Sequence, residues 1–69
     1  MFVSLDIKKV ISLGLYHGWS IAEIQRQAGL SNGAIYGLIY GKNKSVRAST
    51  AYKIAKALGV ETKEIACIK

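Results

Sequence analysis

Proline is absent from this chain of 69 residues, and cysteine and histidine each occur once. The single thiol, Cys67, excludes an intramolecular disulfide, and together with His17 it provides too few ligands for a zinc site. No segment approaches the run of about 20 apolar residues that a membrane-spanning helix needs. The sequence therefore predicts a fold held by packing alone, without a metal, a cofactor or a membrane partner.

Acidic residues are also scarce. Four Asp and Glu stand against ten Lys and Arg, so the net charge is +6. A small basic domain attracts polyanions, of which nucleic acid is the commonest in cytoplasm. The few carboxylates form no recognisable acid–base pair with a nucleophile, and no phosphate-binding or dinucleotide-binding glycine motif occurs. These absences argue against an enzyme and a small-molecule substrate, and a cytoplasmic protein without a secretory signal is expected.

Hydrophobic residues, in contrast, make up 51% of the chain, enough to build a core in a domain of this length. Most fall at three- and four-residue spacings, whereas the alternation typical of strands is weak. Glycine follows four such segments, at Gly18, Gly29, Gly41 and Gly59, where a left-handed residue commonly ends a helix. The pattern predicts that residues 1–69 form one all-α domain of five helices.

Apolar spacing and capping residues together place these helices. The first runs from about Leu5 to His17 with Ser4 as its N-cap, and the second starts at Ser20, which forms a capping box with Glu23. The third, capped by Ser31, spans about Asn32 to Tyr40; the fourth runs from Ala48 or Thr50 to Leu58, capped by Ser45, Arg47 or Ser49; the fifth spans about Thr62 to Ile68. The predicted core consists of Val10, Leu13, Ile24, Ala28, Leu30, Ile35, Leu38, Ala55 and Leu58.

Residues 21–40 carry the most informative pattern in the chain. Two helical segments are separated only by Gly29, which permits a sharp turn, and Leu30, whose side chain fills the angle between them. Ser31 then starts the next helix without further linker. A helix, a glycine-containing tight turn and a second helix are typical of the helix-turn-helix.

This stretch resembles the phage Cro/repressor class of helix-turn-helix domains, and the likeness extends from about Ile7 to Ile65. The segment Gly-Trp-Ser20 is similar to the usual entry to the second helix of that class. Residues 54–60, followed by Ile65, are similar to its fourth and fifth helices. The resemblance implies a small phage-type transcriptional regulator that binds operator DNA in a Cro-like manner, as a homodimer, inside a bacterial host cell.

The resemblance also implies which residues contact double-stranded DNA. The third helix would enter the major groove, where Asn32 could pair with adenine and Tyr36 could pack on a thymine methyl group. The base-facing candidates are Asn32, Gly33, Ala34, Tyr36 and Gly37. Lysine and arginine outside this helix would contact phosphate without reading sequence. The phosphate-contact candidates are Lys42, Lys44, Arg47, Lys53 and Lys56.

Three positions depart from the family pattern and leave a second function open. Ile21 stands where the family often has Gln, Gln25 where it favours Ala, and Ile39 where it often has Glu. The apolar side chains left over on the first and third helices suggest a protein contact. The candidates for that contact are Tyr36, Ile39, Tyr40, Leu15 and Tyr16. The alternative function is therefore an antirepressor or modulator that holds a partner repressor protein through its helix-turn-helix surface.

Overall fold

The structure is a computed structural model that describes residues 2–31, 33–41 and 45–68. In these residues the fold combines five short helices with a small sheet. In chain order the elements are β1 (Phe2–Leu5), α1 (Ile7–Tyr16), α2 (Ile21–Gln27), α3 (Ala34–Tyr40), β2 (Ser45–Arg47), α4 (Ala48–Leu58), α5 (Thr62–Ile65) and β3 (Ala66–Ile68). Within these ranges no helix is long and apolar enough to cross a membrane.

The sheet overturns the prediction of an all-α fold. It is antiparallel with the order β2-β1-β3, and Val3 in the central strand lies opposite Val46 on one side and Ile68 on the other. Val3 and Leu5 point into the core and are buried, as is Val46. Strands of three or four residues are too short to display alternation, and their partners come from distant parts of the chain, so periodicity could not reveal them.

The ends of three helices differ from the predicted positions. Asp6, not Ser4, caps α1, because its carboxylate accepts the Lys9 N–H at 3.2 Å, while Ser4 lies in β1 and pairs with Ser45 of β2. The third helix begins at Ala34 behind Gly33, and no side chain from Gly33 is available to cap it. The fifth helix ends at Ile65, because the residues after it turn into β3.

Glycine ends three helices in the manner predicted. Gly18, Gly29 and Gly59 all have φ between 71° and 77°, and the residue after each donates its N–H to a carbonyl five positions earlier. This bond belongs to the Schellman motif, which requires a left-handed residue at the helix end. Gly41 is the exception, since it ends α3 with an ordinary φ of −84°. The second predicted cap, Ser20, accepts the Glu23 N–H at 3.2 Å.

The core lies where α4 meets the sheet and the other helices. Six predicted members are buried, and Leu13, Leu30 and Leu38 are partly buried against them. The buried hydrophobic residues are Val3, Leu5, Val10, Ile24, Ala28, Ile35, Val46, Ala51, Ile54, Ala55, Leu58 and Ile65. The sheet residues among them were not predicted, since the sheet itself was not.

One glycine inside a helix is required by packing. Gly14 is buried on α1 and faces Ile24 of α2, and a Cβ placed on Gly14 would overlap the end of the Ile24 side chain. Ile24 is itself enclosed by the core, so it has little room to withdraw. The missing side chain at Gly14 therefore allows α1 and α2 to pack closely.

We expect Gly14→Ala to lower the free energy of unfolding by about 1–3 kcal/mol, because it overpacks the α1–α2 contact. Gly37→Ala is the matched control, since a Cβ there meets open space within a helix. That change should raise stability by roughly 0.5–1 kcal/mol through helix propensity. Denaturant melts of both variants measure the difference, and equal effects would show that Gly14 does not limit the approach of the helices.

Candidate nucleic-acid interface

The turn between α2 and α3 is fixed by backbone hydrogen bonds and one apolar side chain. Gly29 adopts a φ of 72°, and the Leu30 N–H donates to the Gln25 carbonyl at 2.8 Å. The side chain of Leu30 packs against the core cluster. The chain therefore reverses within a few residues between α2 and α3, as the sequence predicts for Gly29 and Leu30.

A buried side chain of α2 supports the start of α3. Gln25 is only 2% exposed, and its Oε1 accepts the backbone N–H of Ile35 at 2.6 Å. Ile35 is fully buried and lies in the first turn of α3, where backbone N–H groups have no partner within the helix. The amide of Gln25 supplies the cap that Gly33 cannot.

The outward side of α3 is a stripe of glycine and tyrosine. Gly33, Tyr36, Gly37 and Tyr40 are all exposed, at the helical spacing of i, i+3, i+4 and i+7. Tyr36 is 38% exposed and Tyr40 83%, so Tyr36 is the better supported of the two rings. We call these four residues the α3 stripe. Of the other base-facing candidates, Ala34 is partly buried, and Asn32 lies outside the described residues.

Positive charge is exposed on β2 and α4, whereas the stripe itself carries none. Arg47 is exposed at the start of α4, where the helix dipole also favours an anion, and Lys53 and Lys56 are exposed on α4. The ion pairs between described residues join Arg26 to Glu23 at 3.1 Å and Lys63 to Glu61 at 3.2 Å. The three phosphate-contact candidates stand outside both pairs. Lys42 and Lys44 lie outside the described residues.

An apolar groove runs between α1 and the end of α3. It is lined by Leu5, Ile7, Ile11 and Ile39, with Asp6 and Lys8 at its edge. Ile39 also packs partly against the core. We call this the α1–α3 groove. One turn beyond Ile11 on α1, Leu15 is 69% exposed and Tyr16 is 88% exposed. The structure thus leaves both of these protein-contact candidates at the surface.

The C-terminal end of α1 is tied to α4 and has a structural role. His17 Nε2 lies 3.1 Å from the carbonyl oxygen of Leu58, and its ring stacks on Trp19 with centroids 4.4 Å apart. The ring pair lies in the connection between α1 and α2, and the contact with Leu58 ties this connection to the end of α4. Among the described residues no group of acidic, His and Cys side chains could hold a metal ion.

A known protein family matches most of the chain. A family model described as the Cro/C1-type HTH DNA-binding domain matches residues 15–68. The chain belongs to this family. No curated protein and no solved structure matched the chain. As a Cro/C1-type domain, the chain is a DNA-binding transcription regulator, and members of the family are typically non-enzymatic.

Gln25 is the residue of the Cro/C1-type helix-turn-helix whose role the sequence did not reveal. In the sequence it is one of three departures from the family pattern, which together leave the protein-binding alternative open. A polar residue on the inner face of an amphipathic helix was the available signal, since a buried amide must find a hydrogen-bond partner. The partner itself, a backbone group ten residues away, becomes visible only in the structure.

We expect Gln25→Met to lower the free energy of unfolding by about 1–3 kcal/mol, because it keeps the side-chain volume but leaves the Ile35 N–H buried without an acceptor. Gln27→Met is the matched control on the same helix, because Gln27 is exposed and its side chain bonds to the partly buried Glu23 carboxylate among described partners. That change should stay within about 0.5 kcal/mol. Thermal and urea denaturation give both values, and an equal loss in the two variants would contradict a capping role for Gln25.

Proposed function

We propose that this chain is a phage-type transcriptional regulator that binds operator DNA in a Cro-like manner in the cytoplasm of a bacterial host. Residues 1–69 act as one domain, and a homodimer places two copies of α3 in successive turns of the major groove. The observation that carries the proposal is the α3 stripe. Its side chains face outward from a helix whose opposite side is held by the core and by Gln25.

The stripe favours close approach and apolar reading of bases. Gly33 and Gly37 present no side chains, so the backbone of α3 can approach the floor of the groove. Tyr36 and Tyr40 each offer a hydroxyl for one hydrogen bond and a ring that packs on a thymine methyl group. Residues 34–40 contain no Arg, Lys or Gln, so α3 lacks the bidentate partners of guanine. Asn32 is proposed as the partner of adenine.

Phosphate contacts come from neighbouring elements. Arg47, Lys53 and Lys56 are exposed and stand outside the ion pairs of the described residues, so they are available to an anionic backbone. Lys42 and Lys44, which precede Arg47 in sequence, are proposed to join them. Such contacts hold the protein on the duplex and supply affinity that does not depend on sequence.

We expect Arg47→Ala to weaken binding to all duplexes alike and to reduce the slope of log K against log salt concentration by about 0.9, the value for one lost phosphate contact. Lys63→Ala removes the same charge from α5, where Lys63 is paired with Glu61, and should leave the slope nearly unchanged. Fluorescence titrations over a range of salt concentrations provide both slopes. Identical slopes in the two variants would remove Arg47 from the interface.

A second function is favoured by the α1–α3 groove. Its lining is largely apolar, and Leu15 on α1 and Tyr40 on α3 are exposed apolar side chains on the same two helices. Exposed apolar surface of this kind gains free energy when a protein covers it. In this alternative the chain is an antirepressor or modulator that uses Tyr36, Ile39, Tyr40, Leu15 and Tyr16 to hold a partner repressor.

Two exposed residues separate the functions. For operator binding, we expect Tyr36→Ala to lose footprint protection of a selected duplex, whereas Leu15→Ser keeps it, because Leu15 lies on α1 outside the stripe. For partner binding, Leu15→Ser should lose a repressor that the wild-type chain retains after nuclease treatment, and truncation of a central contact of this type costs ~2 kcal/mol or more. Circular dichroism confirms that each variant is folded. If the wild-type chain protects no DNA at moderate salt but binds the purified repressor, the first function is wrong and the second replaces it.

A further inference from the structure

We propose that Gln25 is a positioning residue of the DNA interface, which sets the orientation of α3 and thereby the bases that the α3 stripe can read. The residue is buried on α2 and would touch no DNA. The inference rests on the proposed function, since it assigns to α3 the reading of bases. It concerns how that reading is made accurate.

Taken alone, α3 is a weak helix. It has seven residues with glycine at its centre, and it starts behind a glycine whose φ is 90°. No side chain of its own N-cap bonds to the first turn. Helices of this length are marginal unless tertiary contacts hold them. The orientation of α3 must therefore be imposed from outside the helix.

Gln25 imposes this orientation by accepting two hydrogen bonds, one from the turn and one from α3. Its carbonyl oxygen accepts the Leu30 N–H at 2.8 Å, and its side-chain Oε1 accepts the Ile35 N–H at 2.6 Å. A cap from the preceding loop would stabilise α3 but leave its angle to α2 free. A cap that comes from α2 itself fixes both the first turn of α3 and the place of that turn on α2.

The bond acts directly beside a base-reading side chain. Ile35, whose N–H is held, is fully buried, and the next residue is Tyr36 of the stripe. A shift of α3 at Ile35 therefore moves the Tyr36 ring by a similar distance. Base contacts require the reading side chains to stay within hydrogen-bonding distance and angle of the base edges, so they depend on the position of α3. Phosphate contacts from Arg47 and α4 do not involve α3. Loss of the bond should then reduce discrimination between sequences more than affinity for DNA in general.

The test uses the full chain and three variants, with a duplex selected from a random pool by the wild type as the specific probe. A scrambled duplex of the same length is the non-specific probe. Gln25→Met removes the acceptor at similar volume. Gln25→Glu retains an acceptor oxygen, which the positive end of the α3 dipole favours. Ile65→Val loosens the core at α5, which gives a control for lost stability alone.

We expect Gln25→Met to lower the ratio of specific to scrambled affinity by about tenfold or more and to speed amide exchange at Ile35 by a similar factor, as for one buried donor left unpaired. The scrambled affinity and its salt slope should change little. Gln25→Glu should restore the ratio to within about threefold of the wild type, and Ile65→Val should leave it unchanged.

Other outcomes overturn the inference. If exchange at Ile35 rises while the ratio stays constant, Gln25 is only a structural cap. If Ile65→Val lowers the ratio as much as Gln25→Met does, the effect is one of general stability. A wild type that prefers no duplex over the scrambled one overturns the proposed function instead. The exchange rate at Ile35, measured without DNA, distinguishes that failure, because it tests the bond to Gln25 independently.

Discussion

The buried amide of Gln25 couples two demands that small helix-turn-helix proteins must meet together. A short second helix has to begin abruptly after a tight turn, and its unpaired N–H groups have to be satisfied without bulky residues in the turn. Here Gly29 makes the turn possible, and Gly33 occupies the N-cap of α3 without a capping side chain. The cap is moved to the neighbouring helix, so the integrity of α3 and its attachment to α2 become one property.

In the proposed function, the reading of DNA and the attraction to it belong to different elements. The α3 stripe carries no charge, whereas Arg47, Lys53 and Lys56 stand on β2 and α4. Attraction at a distance would act through these cations and weaken with salt, while the stripe would contribute only at contact. The same division explains why two functions compete for this surface, because a neutral tyrosine and glycine face suits either a groove floor or an apolar protein surface.

Much of this architecture follows from local signals in the sequence. Ser20, Gly18, Gly29 and Gly59 mark helix ends through conformations that few other residues allow, and the apolar spacing of α4 defines its limits closely. The sequence does not predict the sheet, because its strands are short and pair across long separations along the chain. Ser31 predicts too early a start for α3 because it resembles a local cap, whereas the capping side chain comes from Gln25 on α2. The roles of the α3 stripe and of the cations in DNA binding follow from the family pattern and remain predictions, which measurements of DNA binding test.

The order of strands in the sheet has a consequence for how the molecule forms. The strand nearest the beginning of the chain is the central one, and it is bracketed by β2 and by β3, which follows the last helix. Helices with local contacts form quickly, but a ladder between distant segments must wait for the loop between them to close. Synthesis therefore leaves one backbone edge of β1 unpaired until the final strand is available. Any extension fused directly before Phe2 would emerge beside the middle of the sheet rather than from a loose end.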